Sequence, residues 1–350
     1  MPAFESMVEH DVLTESEYPA GGPAQEQFRF LLRYAILAPS TFNTQPWKFS
    51  LSDEGIAVFA DYTRRMPVAD PGNRELLMSI GAAILNLRAA AAHFGSACHV
   101  SYNYNGDSER PLAFATLGAG ATSEGDEGLR ELFPAIALRR TNRNPFLVTR
   151  IPSSVLGILK DTGAGTQVRI SISTDGSLNQ KVGDLVAAAE RTLLGDMDFR
   201  KDNAEWTRTG WSSHDDGIPG GAVGLEGVAA ALAPWATKVI DFGRLRAARD
   251  KNLCIEAPGL VVLSSEDSVP HFLETGEVLE RVLLILAREG LQTSYFNMPM
   301  KSPEYRVKLR GLLGLAAWPQ LLLRIGFGLT EAPVTPRRPV DDVIVPWSRR

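Results

Sequence analysis

Cysteine, basic residues near the amino terminus and long apolar runs are all scarce in this chain of 350 residues. Its two cysteines, Cys98 and Cys254, cannot build a disulfide framework, so we expect two buried, reduced thiols. No Lys or Arg precedes Arg29, so the basic start of a secretory signal is missing. Apolar runs such as 282–286 are far too short to span a bilayer. The sequence therefore predicts a soluble, cytoplasmic protein without membrane contact.

Metal-ligand and nucleotide-loop motifs are missing as well. The five histidines are scattered and none belongs to an H-E-x-x-H pattern, so no metal is predicted. Neither a G-x-x-x-x-G-K-[ST] nor a G-x-G-x-x-G loop follows a predicted strand, which leaves P-loop and Rossmann sites without support. The net charge of −5 does not favour nucleic acid as a partner.

The order of predicted elements repeats along the chain. In each pass a strand precedes a long, apolar helix that stops at a glycine, and further strands follow. The first pass has helices at 26–37 and 75–94 and strands at 56–62, 99–104 and 111–118. After a linker at 118–128, the second pass has helices at 179–195 and 277–289 and strands at 167–173, 259–265 and 321–328. This order predicts an α+β fold of two related halves, with one irregular α+β domain as the alternative.

These patterns also predict the organisation of the chain. We expect an acidic amino-terminal arm at 1–25, a first half at 26–130 and a second half at 131–350. The second half contains a Gly-rich stretch at 210–227, which suits a mobile lid or an ordinary surface loop, and ends in an extended tail.

The stretch APSTFNTQPWKF, residues 38–49, follows the first helix and resembles neither a strand nor a helix. Its Asn and Gln side chains offer both donors and acceptors, as a heteroaromatic ring with imide groups requires. The simpler interpretation is a turn in which Ser40 and Thr41 cap the helix. That turn leaves the remainder of the string unexplained.

The stretch ALRRTNRNPF, residues 137–146, concentrates arginines around a threonine. Guanidinium groups are planar, forked donors that match phosphate oxygens, and a hydroxyl adds a short donor. PRRP, residues 336–339, places two more guanidiniums on the tail. Taken singly, each cluster is also consistent with a solvated basic surface.

Together these motifs resemble a known family. APSTFNTQPWKF is similar to the APS-x-x-N-x-QPW-x-F signature of FMN-dependent nitroreductases, and LRRTNRNPF is similar to their RRS-x-R-x-F phosphate motif. The end of the chain, RIGFGLTEAPVTPRRPVDDVI, resembles their carboxyl terminus. Each motif occurs once in a chain of double length, which most resembles the Acg-like subfamily, in which two nitroreductase-like halves are fused. The resemblance implies a nitroreductase-like pseudo-dimer with central antiparallel sheets flanked by helices.

The resemblance also implies one FMN per chain, because each motif occurs once. Arg139, Thr141 and Arg143 would hold the phosphate, with Arg338 approaching from the tail. Residues from the other half would line the flavin and its ribityl chain: Pro39, Ser40, Thr41 and Asn43. Arg208 would place a cation at the pyrimidine edge. No catalytic side chain is implied, because the flavin N5 carries the hydride.

Three functions remain open at this point. The first is NAD(P)H-dependent reduction of nitro compounds, quinones or similar small molecules. The second is a non-catalytic FMN-binding or sequestering protein whose lid stays closed over the flavin. The third is a specialised flavin-dependent dehydrogenase of a metabolite or peptide. The fused halves are consistent with a monomer or a homodimer.

Overall fold

In the computed structural model of this chain, the described residues up to 118 build one four-stranded antiparallel sheet. The structure describes residues 15–103, 110–118, 124–209, 212–220 and 231–346. The first elements are helix α1 (Ala24–Ala35), strands β1 (Trp47–Ser52) and β2 (Gly55–Ala60), helix α2 (Arg74–His93) and strands β3 (Ala97–Tyr102) and β4 (Ala113–Gly118). The strands lie in the order β1-β2-β4-β3.

The second part of the chain builds a sheet of the same design. Its strands are β5 (Arg169–Ser173), β8 (Gly259–Ser265), β9 (Gln292–Tyr295) and β10 (Trp318–Gly326), and a separate pair is formed by β6 (Thr207–Arg208) and β7 (Ile218–Pro219). The helices are α3 (Glu124–Leu138), α4 (Ser153–Asp161), α5 (Gly176–Gly195), α6 (Met197–Glu205), α7 (Ala233–Val239), α8 (Gly243–Ile255), α9 (Val269–Arg288), α10 (Pro303–Leu312) and α11 (Val340–Val343). The strand order, β5-β8-β10-β9, repeats that of the first sheet. The predicted α+β fold with two related halves is therefore confirmed.

Helices α2 and α9 occupy equivalent places in the two halves. Each has 20 residues, and each is followed by a glycine with positive φ, Gly95 at 81° and Gly290 at 72°. The next residue donates its backbone N–H five positions back, from Ser96 to Ala91 and from Leu291 to Leu286. This is the pattern in which a glycine in the left-handed conformation ends a helix, so α2 and α9 end in the same way.

The two helices cross at Gly81 and Gly276. A Cβ atom at Gly81 would stand 2.0 Å from the carbonyl oxygen of Leu273, and one at Gly276 would stand 2.0 Å from that of Met78. The contacts are reciprocal, as in the isologous interface of a symmetric dimer. The length and apolar composition of α2 would also suit a membrane span, but 89% of its apolar window is buried inside the fold. This packing accounts for its apolar surface.

Some predicted elements differ from the structure. The linker predicted at 118–128 is wrong at its end, because α3 begins at Glu124. Strand β1 was not predicted, since Pro46 and the preceding polar residues obscure its start. Helix α8 was not predicted either, because charged and polar residues interrupt its apolar ones and only one face is buried. Residues 1–14, most of the predicted arm, and 210–211 and 221–227 of the Gly-rich stretch lie outside the described residues.

The close contact between α2 and α9 predicts that a larger side chain at Gly81 lowers the stability of the protein. Gly81→Val should lower the free energy of unfolding toward the upper end of the roughly 1–3 kcal/mol typical of overpacked cores, because two helix backbones must separate. Gly157→Ala is the matched control, since this helical glycine has no atom within 4 Å of an added Cβ and alanine favours the helix by up to about 1 kcal/mol. Urea unfolding of both variants measures the difference. Equal stability of the two variants would contradict the crossing.

Candidate functional site

A cavity of about 1650 Å³ lies where the two halves meet. The residues that line it come from the loop after α1, from α2, from the loop after α3, from α8, from β9 and from the tail. All of the site residues predicted from the sequence are among them: Pro39, Ser40, Thr41, Asn43, Arg139, Thr141, Arg143, Arg208 and Arg338. The structure thus brings motifs that are about 100 and 200 residues apart into the lining of one cavity. Their role as cofactor ligands stays a prediction.

The loop that carries the first motif has an unusual backbone. Phe42, Asn43 and Gln45 have φ values of 51°, 54° and 50°, in the left-handed region. Residues other than glycine rarely adopt this conformation, and strained positions of this kind cost on the order of 1–3 kcal/mol each. The surroundings must therefore hold the loop in place.

One side of this loop is held by a buried ion pair. Thr41 Oγ1 donates to Glu75 Oε2 at 2.8 Å, and Lys301 Nζ donates to the same oxygen at 2.7 Å. Burial would raise the pKa of Glu75, but the charges of Lys301 and Arg74 outweigh it and lower that pKa. Glu75 therefore stays ionised and can accept both bonds.

The other side of the loop is tied to the tail and to residues 212–220. Asn43 Nδ2 lies 3.1 Å from the Pro336 oxygen and 3.2 Å from the Gly217 oxygen, and Gly217 N donates back to the Asn43 oxygen at 3.2 Å. Gln45 Nε2 donates to the Asp215 oxygen at 2.6 Å. The described part of the predicted lid therefore rests directly on the loop.

The arginine motif lies in the loop after α3 and lines the same cavity. Its backbone is fixed by Asn142 N, which donates to the Thr293 oxygen at 2.8 Å, and by Arg324 Nη2, which donates to the Asn142 oxygen at 3.1 Å. Arg139 Nη2 donates to the Leu37 oxygen at 3.2 Å, but Arg139 Nε has no hydrogen-bond partner. These contacts hold the loop while leaving donors unused.

Arg143 is the least engaged cation of this motif. Among the residues that the structure describes, no hydrogen bond or ion pair engages its guanidinium, although the side chain is half-buried. Burial, together with the nearby charge of Arg246, lowers the pKa of Arg143 to about 10, so it is still charged at neutral pH. Free guanidinium donors beside the Thr141 hydroxyl fit a phosphate group.

The two arginines of the tail both line the cavity, and they differ in their hydrogen bonds. Arg337 Nε donates to the Ile36 oxygen at 2.9 Å and its Nη1 to Asn43 Oδ1 at 3.2 Å. Burial and the charge of Arg139 lower its pKa to about 9. Arg338 instead donates from Nη2 to the Asp342 oxygen at 2.7 Å. The repeated arginine in PRRP offers no sequence signal that distinguishes the two.

Arg208 lies in the cavity wall, but its guanidinium is occupied. Its Nε and Nη2 donate to Asp216 Oδ1 at 3.1 and 2.7 Å, and Arg64 binds the other oxygen of Asp216 at 2.8 Å. Both guanidiniums also lie over the Trp206 ring, at 5.4 and 5.7 Å from its centroid. Asp216 therefore neutralises the cation that was predicted to face a flavin, and it fastens residues 212–220.

A buried carboxyl lies behind Arg139. Glu280 is fully buried on α9, with Oε1 3.8 Å from Arg139 Nε, and neither of its oxygens accepts a hydrogen bond among the described residues. Burial raises its pKa to about 7, and Arg139 only partly offsets this effect. Glu75 and Glu280 were missed from the sequence. Glu75 is the lone acid of α2 and offered a signal, whereas α9 contains three glutamates, and nothing in its sequence distinguishes Glu280 from the others.

Comparison with known proteins places this architecture in a family. Over 317 residues, 89% of this chain and 93% of the relative, the chain is 30% identical to a Mycobacterium tuberculosis H37Rv protein named "Putative NAD(P)H nitroreductase acg". It is 26% identical over 329 residues, 92% of each chain, to "Putative NAD(P)H nitroreductase Rv3131" of the same strain. The chain therefore belongs to the Acg-like nitroreductase family. No protein-family model matches it.

Solved structures resemble part of the chain. Iodotyrosine deiodinase bound to FMN and 3-iodo-L-tyrosine is 19% identical, with a TM-score of 0.41, and covers 63% of this chain and all of its own. The FMN and NADPH-dependent nitroreductase NfnB from sphigopyxis sp. strain HMH is 20% identical, with a TM-score of 0.42, over 63% of this chain and 99% of its own. At these TM-scores the likeness alone establishes no shared fold.

The raised pKa of Glu280 predicts a pH dependence of stability. Between its ordinary value of 4.5 and about 7 the folded state binds more protons at this site than the unfolded state, so stability falls as the pH rises. Glu280→Gln should reduce this fall between pH 5 and pH 8 by on the order of 3 kcal/mol. Urea unfolding at pH 5 and at pH 8 measures how far the free energy of unfolding falls between the two values, which is the slope for each variant. Glu131→Gln, at an exposed glutamate, is the control, and an equal slope in both variants would contradict the burial effect.

Proposed function

We propose that this protein binds FMN and is an NAD(P)H-dependent oxidoreductase of the nitroreductase type, acting on nitro compounds, quinones or similar acceptors. The main support is the meeting of two motifs on one cavity: Thr41 and Asn43 from the first half, and Arg139, Thr141 and Arg143 from the second. The names of the Acg-like relatives point to the same activity. We propose one FMN per chain, because each motif occurs once.

The residues present fit the phosphate end of this cofactor. The Arg143 guanidinium has unused donors within the described part of the chain, while Arg139 adds a second positive charge and Thr141 a hydroxyl on the same cavity. Pro39, Ser40, Thr41 and Asn43 would line the ring and ribityl chain, on a loop whose strained backbone is already fixed. When bound, FMN supplies hydride transfer at N5, so the protein's part is to bind, orient and exclude water.

Arg143 gives the cleanest test of cofactor binding. Arg143→Ala removes no hydrogen bond or ion pair of the guanidinium within the described residues, yet it should weaken FMN binding by roughly 10- to 100-fold through the loss of charge-assisted hydrogen bonds. Arg150→Ala, at an exposed arginine nearby, should retain FMN. Flavin absorbance per mole of purified protein, followed by fluorescence titration with FMN, gives the comparison. The same flavin content in both variants would count against this placement.

A second function, flavin sequestration, is favoured by the contacts of residues 212–220. Asp216 bridges Arg64 and Arg208, while Asn43 and Gln45 bind the backbone of Gly217 and Asp215. These bonds hold residues 212–220 against the loop that carries Asn43 and Gln45. A segment fastened in this way would exclude a nicotinamide donor, and the protein would then store FMN without turnover.

Anaerobic addition of NADPH separates the two functions. In an oxidoreductase, the 450 nm absorbance of bound flavin should fall within seconds, because hydride reaches N5 directly. Persistence of the absorbance would favour sequestration. Asp216→Ala releases Arg64 and Arg208 and should accelerate reduction, whereas Asp215→Ala should not, since Asp215 contacts Gln45 only through its backbone oxygen. Equal rates in both variants would show that the bridge from Asp216 to Arg64 and Arg208 does not control access to the flavin.

A further inference from the structure

Helix α8 extends the cationic wall beyond the arginine motif. Arg246 and Arg249 lie one turn apart on its cavity side, and both line the cavity. Arg249 Nη2 donates to the Arg143 backbone oxygen at 2.9 Å, which fixes the helix beside the motif. Arg244 belongs to the same helix but is exposed and outside the lining. The wall therefore continues with guanidiniums that the phosphate motif does not include.

The acids in this region do not cancel the positive charge. Two carboxyls, Glu190 and Asp250, lie nearby, and Arg246 Nη2 is 3.4 Å from Glu190 Oε1. Burial raises the pKa of Glu190 to about 8, with Arg246 opposing the rise and Asp250 adding to it. Glu190 is therefore mostly protonated at neutral pH. Asp250 alone remains to balance Arg143, Arg246 and Arg249, so the region keeps an excess of positive charge.

The cavity also has space for a second molecule. Typical ligand pockets measure about 300–1,000 Å³, whereas this cavity measures about 1650 Å³. A mononucleotide held between Asn43 and Arg139 would leave part of it open. The part of the cavity wall beside α8 carries Arg246 and Arg249, two cations that do not belong to the phosphate motif.

We propose that Arg246 and Arg249 form an anion subsite, which binds a carboxylate or phosphate on the molecule that exchanges electrons with the cofactor. This inference rests on the proposed function. Guanidinium groups prefer such oxyanions because their donors form two parallel bonds. The subsite selects anionic over neutral reactants. The anion belongs either to a carboxylate-bearing acceptor or to the 2′-phosphate that distinguishes NADPH from NADH.

The test compares charged and neutral reactants on the holoprotein. The double variant Arg246→Ala/Arg249→Ala is compared with Arg244→Ala and with the unaltered protein. One arm measures KM for 4-nitrobenzoate and for neutral 4-nitrobenzamide, and the other measures KM for NADPH and for NADH. Calorimetric titration of the oxidised holoprotein with 4-nitrobenzoate or 4-nitrobenzamide provides a readout without turnover, and titration with 2′-AMP or adenosine does so for the donor.

The double variant should lose affinity for one anionic reactant by about tenfold to hundredfold, with its neutral counterpart unchanged. Because Arg249→Ala also removes the bond to the Arg143 oxygen, both arms are run with FMN in excess, and FMN retention is judged on Arg246→Ala alone. The arm in which the loss occurs identifies the source of the anion. Equal effects on charged and neutral reactants, or none, would overturn the subsite. Loss of FMN from Arg246→Ala would assign this arginine to the cofactor and would also overturn it. If the unaltered protein binds no FMN, the proposed function itself fails.

Discussion

The reciprocal contact between α2 and α9 determines where every site residue lies. Because Gly81 touches the backbone at Leu273 and Gly276 touches it at Met78, the two halves approach to backbone contact along their central helices. Each helix then directs one buried carboxyl toward the cavity wall. Glu75 on α2 binds the Thr41 hydroxyl, and Glu280 on α9 lies behind Arg139. A wider separation of the helices would move the loop that carries Thr41 and Asn43 away from the arginine motif.

The strained loop shows how the site is supported by distant parts of the chain. Phe42, Asn43 and Gln45 could not hold left-handed conformations through local contacts alone. Bonds from the tail and from residues 212–220 reach Asn43 and Gln45, and Glu75 of α2 holds the neighbouring Thr41. The conformation of the loop is thus coupled to the segment that would control access. The hydrogen bonds that fix the loop are therefore the same ones that hold residues 212–220.

The sequence was most informative where a pattern is local. Long apolar helices ending at Gly95 and Gly290 were predicted because helix stops are encoded by neighbouring residues. The nine predicted residues line one cavity because motif order carries information about family architecture. Sequence could not separate Arg337 from Arg338, since orientation depends on carbonyls supplied by residues 36–38. Likewise α8 presents a polar pattern, and only its packing beside Arg143 shows which of its arginines face the cavity.

Four arginines at or beside the cavity share a feature that explains its charge. Arg139 and Arg337 donate to carbonyls just after α1, Arg324 to Asn142 and Asn144, and Arg249 to Arg143. A carbonyl oxygen satisfies an N–H donor but does not neutralise the charge of the guanidinium. The chain therefore gains stable, well-positioned side chains while their positive field persists in the cavity. That residual field is the physical basis on which we propose this seam between the two halves as a site for anionic ligands.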